Sequence, residues 1–139
     1  MKKSDIAIET FNNDLNCAQS VIGAYAEQYN LDKNSLYRLA SAFGGGMGHT
    51  NGICGALSGG LMVLGLKHNS KQFDKETTYA QTRHLMNEFI KRNGTRDCEK
   101  LIGVDLMSEE GKEEFKLKNI KKNVCEKCIA DVIDIVENS

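Results

Sequence analysis

The stretch Phe43–Gly60, FGGGMGHTNGICGALSGG, decides the fold, since no other part of the chain is so rich in glycine. It holds 8 of the 13 glycines, together with one of the five cysteines and one of the three histidines. Each glycine loses more conformational freedom on folding than any other residue, so this density has a cost. We therefore expect the backbone here to pass close to a bound group, to a partner helix or to the sulfur of Cys54.

Length and composition predict a single helical domain over residues 1–139. A chain of 139 residues is long enough to bury an apolar core without disulfides. It contains no proline and few aromatic residues, which favours helices over a sheet sandwich. The net charge of −1 lacks the basic excess of nucleic-acid-binding proteins, so we expect no nucleic-acid partner.

The hydrophobic pattern also argues against membrane insertion and secretion. The longest apolar run covers residues 53–66 and is interrupted by glycines, whereas a membrane-spanning helix needs about 20 apolar residues. The N-terminus has no apolar signal-peptide core. We expect a soluble, cytoplasmic protein, and in a reducing cytosol five cysteines indicate redox or metal-binding roles more than structural disulfides.

Hydrophobic periodicity and capping residues predict six or seven helices, at 4–12, 17–29, 35–43, 53–67, 74–93, 97–102 and from 123 or 124 to 137. Residues 103–119 fit an exposed helix or an ordered loop, and the charged segment 109–122 fits a solvated face. Gly55 and Gly59 lie one turn apart in the 53–67 helix, so another backbone can approach that face. The expected fold is an all-α bundle around this glycine-rich central helix.

The cysteines follow one rule: four of them fall in the predicted first turn of four different helices, namely Cys17, Cys54, Cys98 and Cys125. A helix N-terminus carries about half a positive charge and spare N–H donors, and therefore stabilises a thiolate. Nucleophiles and metal ligands both require that form. The alternative interpretation is that cysteine fills the core as a small hydrophobic residue, and it fits Cys128 at least as well.

Other motifs in the chain are weaker. Cys125 and Cys128 have C-x-x-C spacing, but no strand precedes them as in thioredoxin-like proteins, no histidine follows as in c-type haem sites, and no second pair completes a zinc ribbon. Any metal site must therefore collect single cysteines from separate helices. His49 is a candidate base, proton shuttle or fourth ligand, although a loop histidine is more often solvated. Residues 44–52 do not fit the glycine motifs of nucleotide-binding loops.

The residues CGALSG at 54–59 match a CGAxxG signature, and with it the sequence resembles the family of putative redox-active proteins named for the cysteine pattern C-GCAxxG-C-C. The resemblance covers nearly the whole chain, including NCAQ at 16–19, FGGG at 43–46, the 98–103 segment and the cysteine that opens the last helix. By position, the four family cysteines correspond to Cys17, Cys54, Cys98 and Cys125, and Cys128 is an extra. The resemblance implies a helical, redox-active domain without an established substrate.

We consider first that the protein performs thiol–disulfide or electron-transfer chemistry, as a possible oxidoreductase. In this hypothesis Cys54 is the attacking thiolate, and Cys17, Cys98 or Cys125 resolves the mixed disulfide. Four cysteines allow three complete pairings, and the sequence does not choose among them. The partner would be a redox protein or a small thiol.

Two further hypotheses belong to other classes. In the first, Cys17, Cys54, Cys98 and Cys125, with His49 as a possible addition, bind an iron–sulfur cluster or zinc. Glycines around Cys54 would then provide N–H donors and room for the cofactor, and we select Gly52, Gly55 and Gly59. In the second, the protein is a non-catalytic binding module that docks a partner on its glycine-faced helix.

Overall fold

Helices make up the regular structure of the protein. The computed structural model describes residues 1–139 and is 71% helical, without a β-strand. The eight helices are α1 Lys3–Phe11, α2 Cys17–Gly23, α3 Lys33–Ala40, α4 Gly55–His68, α5 Lys75–Asn93, α6 Cys98–Ile102, α7 Glu109–Leu117 and α8 Glu126–Glu137. None of them is both long enough and apolar enough to cross a membrane. The all-α prediction is confirmed, and the count exceeds seven because the charged segment contains α7.

Short polar side chains begin several of these helices, as the sequence predicts. Asn16 and Gln19 form a capping box before α2: the Asn16 side chain accepts the Gln19 N–H at 2.8 Å, and the Gln19 side chain accepts the Asn16 N–H at 2.9 Å. Asp32 caps α3 and Asp74 caps α5 through their carboxylates. Ser108 caps α7 through its hydroxyl. These caps fix the start of α2, which carries Cys17, and the start of α7, which carries Lys112 and Lys116.

The predicted end of the second helix is wrong. α2 stops at Gly23 rather than near residue 29, and residues 24–30 form tight turns. The N–H of Tyr25 bonds to the carbonyl of Ile22, one residue nearer than in an α-helix. Tyr37 of α3 packs on Gly23, where a Cβ would lie 2.5 Å from a ring carbon. Because glycine has a low helix propensity, α2 ends at Gly23, where the chain packs against α3.

The last helical segment, which consists of a π turn and α8, starts earlier than predicted. A π-helical turn, Lys121–Cys125, leads directly into α8, and the N–H of Glu126 donates to the carbonyl of Lys121, five residues back. Cys125 therefore lies inside a continuous helical segment, and the prediction that it stands in a first turn is wrong. Such π turns are rare in proteins, and those that occur are often found at functional sites.

α4 is the central helix, in contact with α2, α5 and α8. Its glycines face these neighbours: a Cβ on Gly59 would lie 2.8 Å from the carbonyl oxygen of Ala18, and a Cβ on Gly60 would lie 2.5 Å from a methyl carbon of Val132. The predicted close approach of another backbone is confirmed. Since α2 and α8 cover this face, it is not available as a docking surface for another protein.

A left-handed turn joins α3 to α4. After the 3-10 turn Ser41–Phe43, the residues Gly45, Gly46, Met47, Gly48 and His49 all have φ between 62° and 69°. The third helix ends at Ala40 rather than at residue 43, and Gly44 is extended, so the left-handed residues begin at Gly45, after the 3-10 turn. The two non-glycine residues adopt the left-handed conformation at a cost of roughly 1–2 kcal/mol each. Strain of this kind persists only where the surroundings hold it, and it is common at functional sites.

Two apolar clusters meet where the cysteines lie. The larger contains 23 buried residues, drawn mainly from α1, α2, α4, α5 and α8, and the smaller contains 5, including Cys98. Leu101, Val124 and Cys125 pack against both clusters. The boundary between the two clusters thus brings α6 and the π turn next to the start of α4.

Candidate functional site

All five cysteines line a single cavity of 440 Å³. Cys17 begins α2, Cys54 precedes α4, Cys98 begins α6, and Cys125 and Cys128 come from the last helical segment. None of them is in a disulfide. The structure therefore brings together the four cysteines predicted from sequence and adds Cys128 to them.

Apolar side chains form most of the cavity wall, and three lysines also line it. The apolar lining includes Phe11, Leu15, Leu101, Ile102, Leu106, Phe115 and Val124. Lys112 and Lys116 are exposed and Lys121 is half-buried, and all three line the same space. Binding sites for small molecules commonly combine a cavity of this size, apolar walls and a few polar groups.

Backbone hydrogen bonds fix Cys54 beside Cys98. The Cys54 N–H donates to the carbonyl of Arg96 at 2.9 Å, and the Cys98 N–H donates to the carbonyl of Gly52 at 2.8 Å. The Gly52 N–H donates to the carbonyl of Gly46 at 2.9 Å, and a Cβ on Gly46 would lie 2.7 Å from the Cβ of Cys98. The left-handed turn is thus part of the scaffold that holds these two cysteines at neighbouring helix starts.

Cys54 differs from the other cysteines in its electrostatic surroundings. The Cys128 thiol, as a hydrogen-bond donor, lowers the pKa of Cys54, and the backbone N–H groups of Leu57 and Ala56 at the start of α4 lower it further. Together they outweigh burial, which acts in the opposite direction. Since the Cys54 residue is only 6% exposed, these groups are its immediate environment. The arrangement favours a thiolate at Cys54.

Three of the other thiols are held in the protonated form. Burial raises the pKa of Cys98 to about 12, with the nearby Cys54 adding to the effect. Donation to Cys54, followed by burial, raises the pKa of Cys128. Donation to Cys125, followed by burial, raises the pKa of Cys17. The cavity therefore contains two neighbouring thiol pairs, Cys54 with Cys128 and Cys17 with Cys125, and one further thiol at Cys98.

Helix N-termini were expected to favour a thiolate at four positions. The N–H groups at the start of α4 help to lower the pKa of Cys54, after the larger effect of the Cys128 thiol, whereas the expectation is wrong for Cys17 and Cys98. Both begin a helix, but their pKa values are raised. α6 has only five residues, so few peptide dipoles add up behind Cys98, and burial prevails. Cys17 lies against another thiol rather than against a positive charge.

The remaining predicted residues have different positions. Gly55 lines the cavity, and a Cβ there would lie 3.2 Å from the Cβ of Cys17. The Gly52 carbonyl accepts the N–H of Cys98 at the start of α6. Gly59 packs on α2 and does not line the cavity. His49 is exposed at the edge of the cavity. The structure thus brings Gly55 and His49 to the thiols, whereas Gly52 and Gly59 support the scaffold.

The thiols as placed do not fit a metal ion. No three side chains of His, Cys, Asp or Glu lie in an arrangement that could hold one, even though the cysteines share a cavity.

Cys128 is the site residue that sequence reasoning left as an extra. It is 1% exposed and belongs to the core, yet it also lines the cavity beside Cys54. The signal that could have found it is its position three residues after Cys125, because helix residues at this spacing share a face. The lysines of the 109–122 segment were also missed, since charged helices usually face solvent.

Comparisons with known proteins agree with the cysteine pattern. The sequence profile of the family described as "Putative redox-active protein (C_GCAxxG_C_C)" matches residues 15–139. A protein of Archaeoglobus fulgidus, described only as "Uncharacterized protein", is 30% identical over 116 residues, which cover 75% of this chain and 77% of that protein. No solved structure matches significantly. Because the profile extends over nearly the whole length, the chain belongs to the C_GCAxxG_C_C family of putative redox-active proteins.

Proposed function

We propose that the protein performs thiol–disulfide redox chemistry with Cys54 as its nucleophile. The observation that carries this proposal is the lowered pKa of Cys54 inside a cavity lined by four more thiols. The thiolate is the reactive form in disulfide exchange, so a cysteine with a lowered pKa attacks at a pH where its neighbours are inert. The redox-active description of the family supports the same class of chemistry.

The chemistry proceeds in two exchanges. The Cys54 thiolate attacks one sulfur of a partner disulfide, which forms a mixed disulfide and releases the other sulfur as a thiolate. Cys128 gives its proton to that leaving thiolate. The Cys128 thiolate then attacks the Cys54 sulfur, forms the Cys54–Cys128 disulfide and releases the partner's remaining sulfur as a thiolate. Two electrons pass from the cysteine pair to the partner, and the reverse sequence oxidises a partner dithiol.

The second pair, Cys17 and Cys125, is a source of electrons for the first. Both line the same cavity as Cys54, and the Cys125 thiol lies close enough to Cys17 to raise its pKa. Exchange between the pairs would reduce the Cys54–Cys128 disulfide and oxidise Cys17 and Cys125, with no net loss of electrons. Cys98 has no thiol donating to it, so we assign it no partner in this scheme.

Cys128→Ser should trap the mixed disulfide at Cys54, because the serine hydroxyl can still donate a hydrogen bond but cannot resolve the disulfide. With dithiobis(nitrobenzoate), we expect a longer-lived adduct at Cys54 in the variant than in the wild type, detected by mass spectrometry, and a Cys54–Cys128 disulfide in the wild type alone. Cys98→Ser is the matched control and should behave as the wild type. If Cys98→Ser trapped the adduct instead, Cys128 would not be the resolving thiol.

The same proposal requires the isolated protein to contain titratable dithiols rather than a metal centre. Protein purified without oxygen should show two redox-active dithiol pairs in thiol titration. Visible absorption and elemental analysis form the control measurement. One equivalent of zinc, or iron with a visible absorption band, would reject the proposal and favour ligation by Cys17, Cys54, Cys98 and Cys125.

A further inference from the structure

Three lysines face the cysteine cavity from one side. Lys112 and Lys116 lie one turn apart on α7, and Lys121 begins the π turn that follows. The ammonium group of Lys121 lies 4.7 Å from the centre of the Phe11 ring, which also lines the cavity. This contact holds the Lys121 charge over the apolar wall.

Carboxylates do little to neutralise these charges. Lys112 lies 3.5 Å from Glu109 in an exposed pair, which is a weak interaction. Lys116 and Lys121 form no ion pair, whereas Lys118, which does not line the cavity, pairs with Glu114 at 3.0 Å. Asp14 is the one acidic side chain among the lining residues. The cavity lining is therefore positively charged in a chain whose net charge is −1.

The depth of the thiols restricts what can react with them. Cys54 is 6% exposed and Cys128 is 1% exposed, so an attacked sulfur has to enter the cavity. A space of 440 Å³ accepts a small molecule and cannot accept a folded domain. Of the two partner classes expected from sequence, a redox protein and a small thiol, the geometry favours the small molecule.

We propose that the substrates of this cavity are small anionic thiols or disulfides, whose carboxylates are held by Lys116 and Lys121 while their apolar parts lie on the wall. The inference rests on the proposed thiol–disulfide function and specifies its substrate class. The positive charge also offsets the repulsion between an anionic substrate and the Cys54 thiolate. The same positive charge stabilises the thiolate that leaves during exchange, because the lysines line the cavity in which that thiolate forms.

The charge preference can be measured without disulfide chemistry. Iodoacetate and iodoacetamide are similar in size and differ in charge, and both alkylate thiolates. For Cys54, we divide the iodoacetate rate by the iodoacetamide rate and then by the same ratio for a small free thiol. We expect the result to be about 3 to 10. It should fall towards one in Lys116→Gln/Lys121→Gln and in high salt. Lys118→Gln/Lys122→Gln removes the same charge outside the cavity and should keep the preference.

Three disulfides of similar length then test the substrate class. Exchange with Cys54 should be fastest for the anionic dithiodipropionate, slower for the neutral hydroxyethyl disulfide and slowest for the cationic cystamine. The Lys116→Gln/Lys121→Gln variant should remove this order. Equal rates in the wild type, or an order that the variant retains, would overturn the inference while leaving the Cys54 chemistry intact. Anion-selective alkylation without any disulfide exchange would instead reject the proposed function and support an anion site alone.

Discussion

Near pH 7, Cys54 should react with iodoacetamide at least about tenfold faster than Cys17, Cys98 or Cys128, since each unit of pKa changes the thiolate fraction about tenfold. The pKa of Cys54 is lowered, whereas the pKa values of the other three are raised. Only the thiolate is alkylated at an appreciable rate. The measurement is the time course of labelling at each cysteine by mass spectrometry. In Cys54→Ser the fast phase should be absent.

The pH profile of this reaction tests its physical cause. Alkylation of Cys54 should be lost as the pH falls through its pKa, which the Cys128 thiol and the backbone N–H groups lower from its ordinary value. Cys128→Ala removes the donor and should move the midpoint to higher pH, whereas Cys128→Ser keeps a donor and should move it less. An identical midpoint in Cys128→Ala and the wild type would refute the role given to Cys128.

A large effect on stability should come from Gly59→Ala, in the central helix. The added Cβ would meet the carbonyl oxygen of Ala18 at 2.8 Å and the Cβ of Val21 at 2.8 Å. Backbone cannot swing aside as a flexible side chain can, so α2 and α4 would have to separate. We expect a loss of about 2–4 kcal/mol in the free energy of unfolding, as overpacking exceeds the gain in helix propensity.

Gly65→Ala provides a matched control in the same helix. A Cβ there has no neighbour within 4 Å, so the substitution should stabilise the protein by up to about 1 kcal/mol through helix propensity alone. Chemical denaturation of both variants measures the two effects. Equal changes in the free energy of unfolding would show that the contact with α2 does not limit the size of residue 59.

Local rules account for the helices that the sequence predicts well. Asn16, Asp32 and Asp74 cap their helices through their own side chains, and Gly94 ends α5 in the left-handed conformation. These features depend on a few adjacent residues. Four members of the cysteine set were also predictable from the sequence, whereas Cys128 was not, and Cys125 lines the cavity although it does not begin a helix.

Features that depend on tertiary contacts were not predictable in this way. Met47 and His49 adopt a conformation that their own side chains disfavour, since Gly46 and Gly52 hold the turn against α6. The π turn changes the position of Cys125 relative to the start of its helix. Which thiols pair depends on which helices pack together. The C-x-x-C spacing of Cys125 and Cys128 does not indicate these pairs, because several unrelated motifs share it.

The last helical segment carries one member of each thiol pair, and this has a topological consequence. Cys125 faces a partner at Cys17 and Cys128 faces a partner at Cys54, so each proposed disulfide would close a very long loop of the chain. In the chain-entropy view, a cross-link that closes a loop of about a hundred residues removes close to 5 kcal/mol of freedom from the unfolded ensemble. Transfer of electrons at this site would therefore also set whether the C-terminal part of the polypeptide is tied to its N-terminal part, through Cys17, and to its middle, through Cys54.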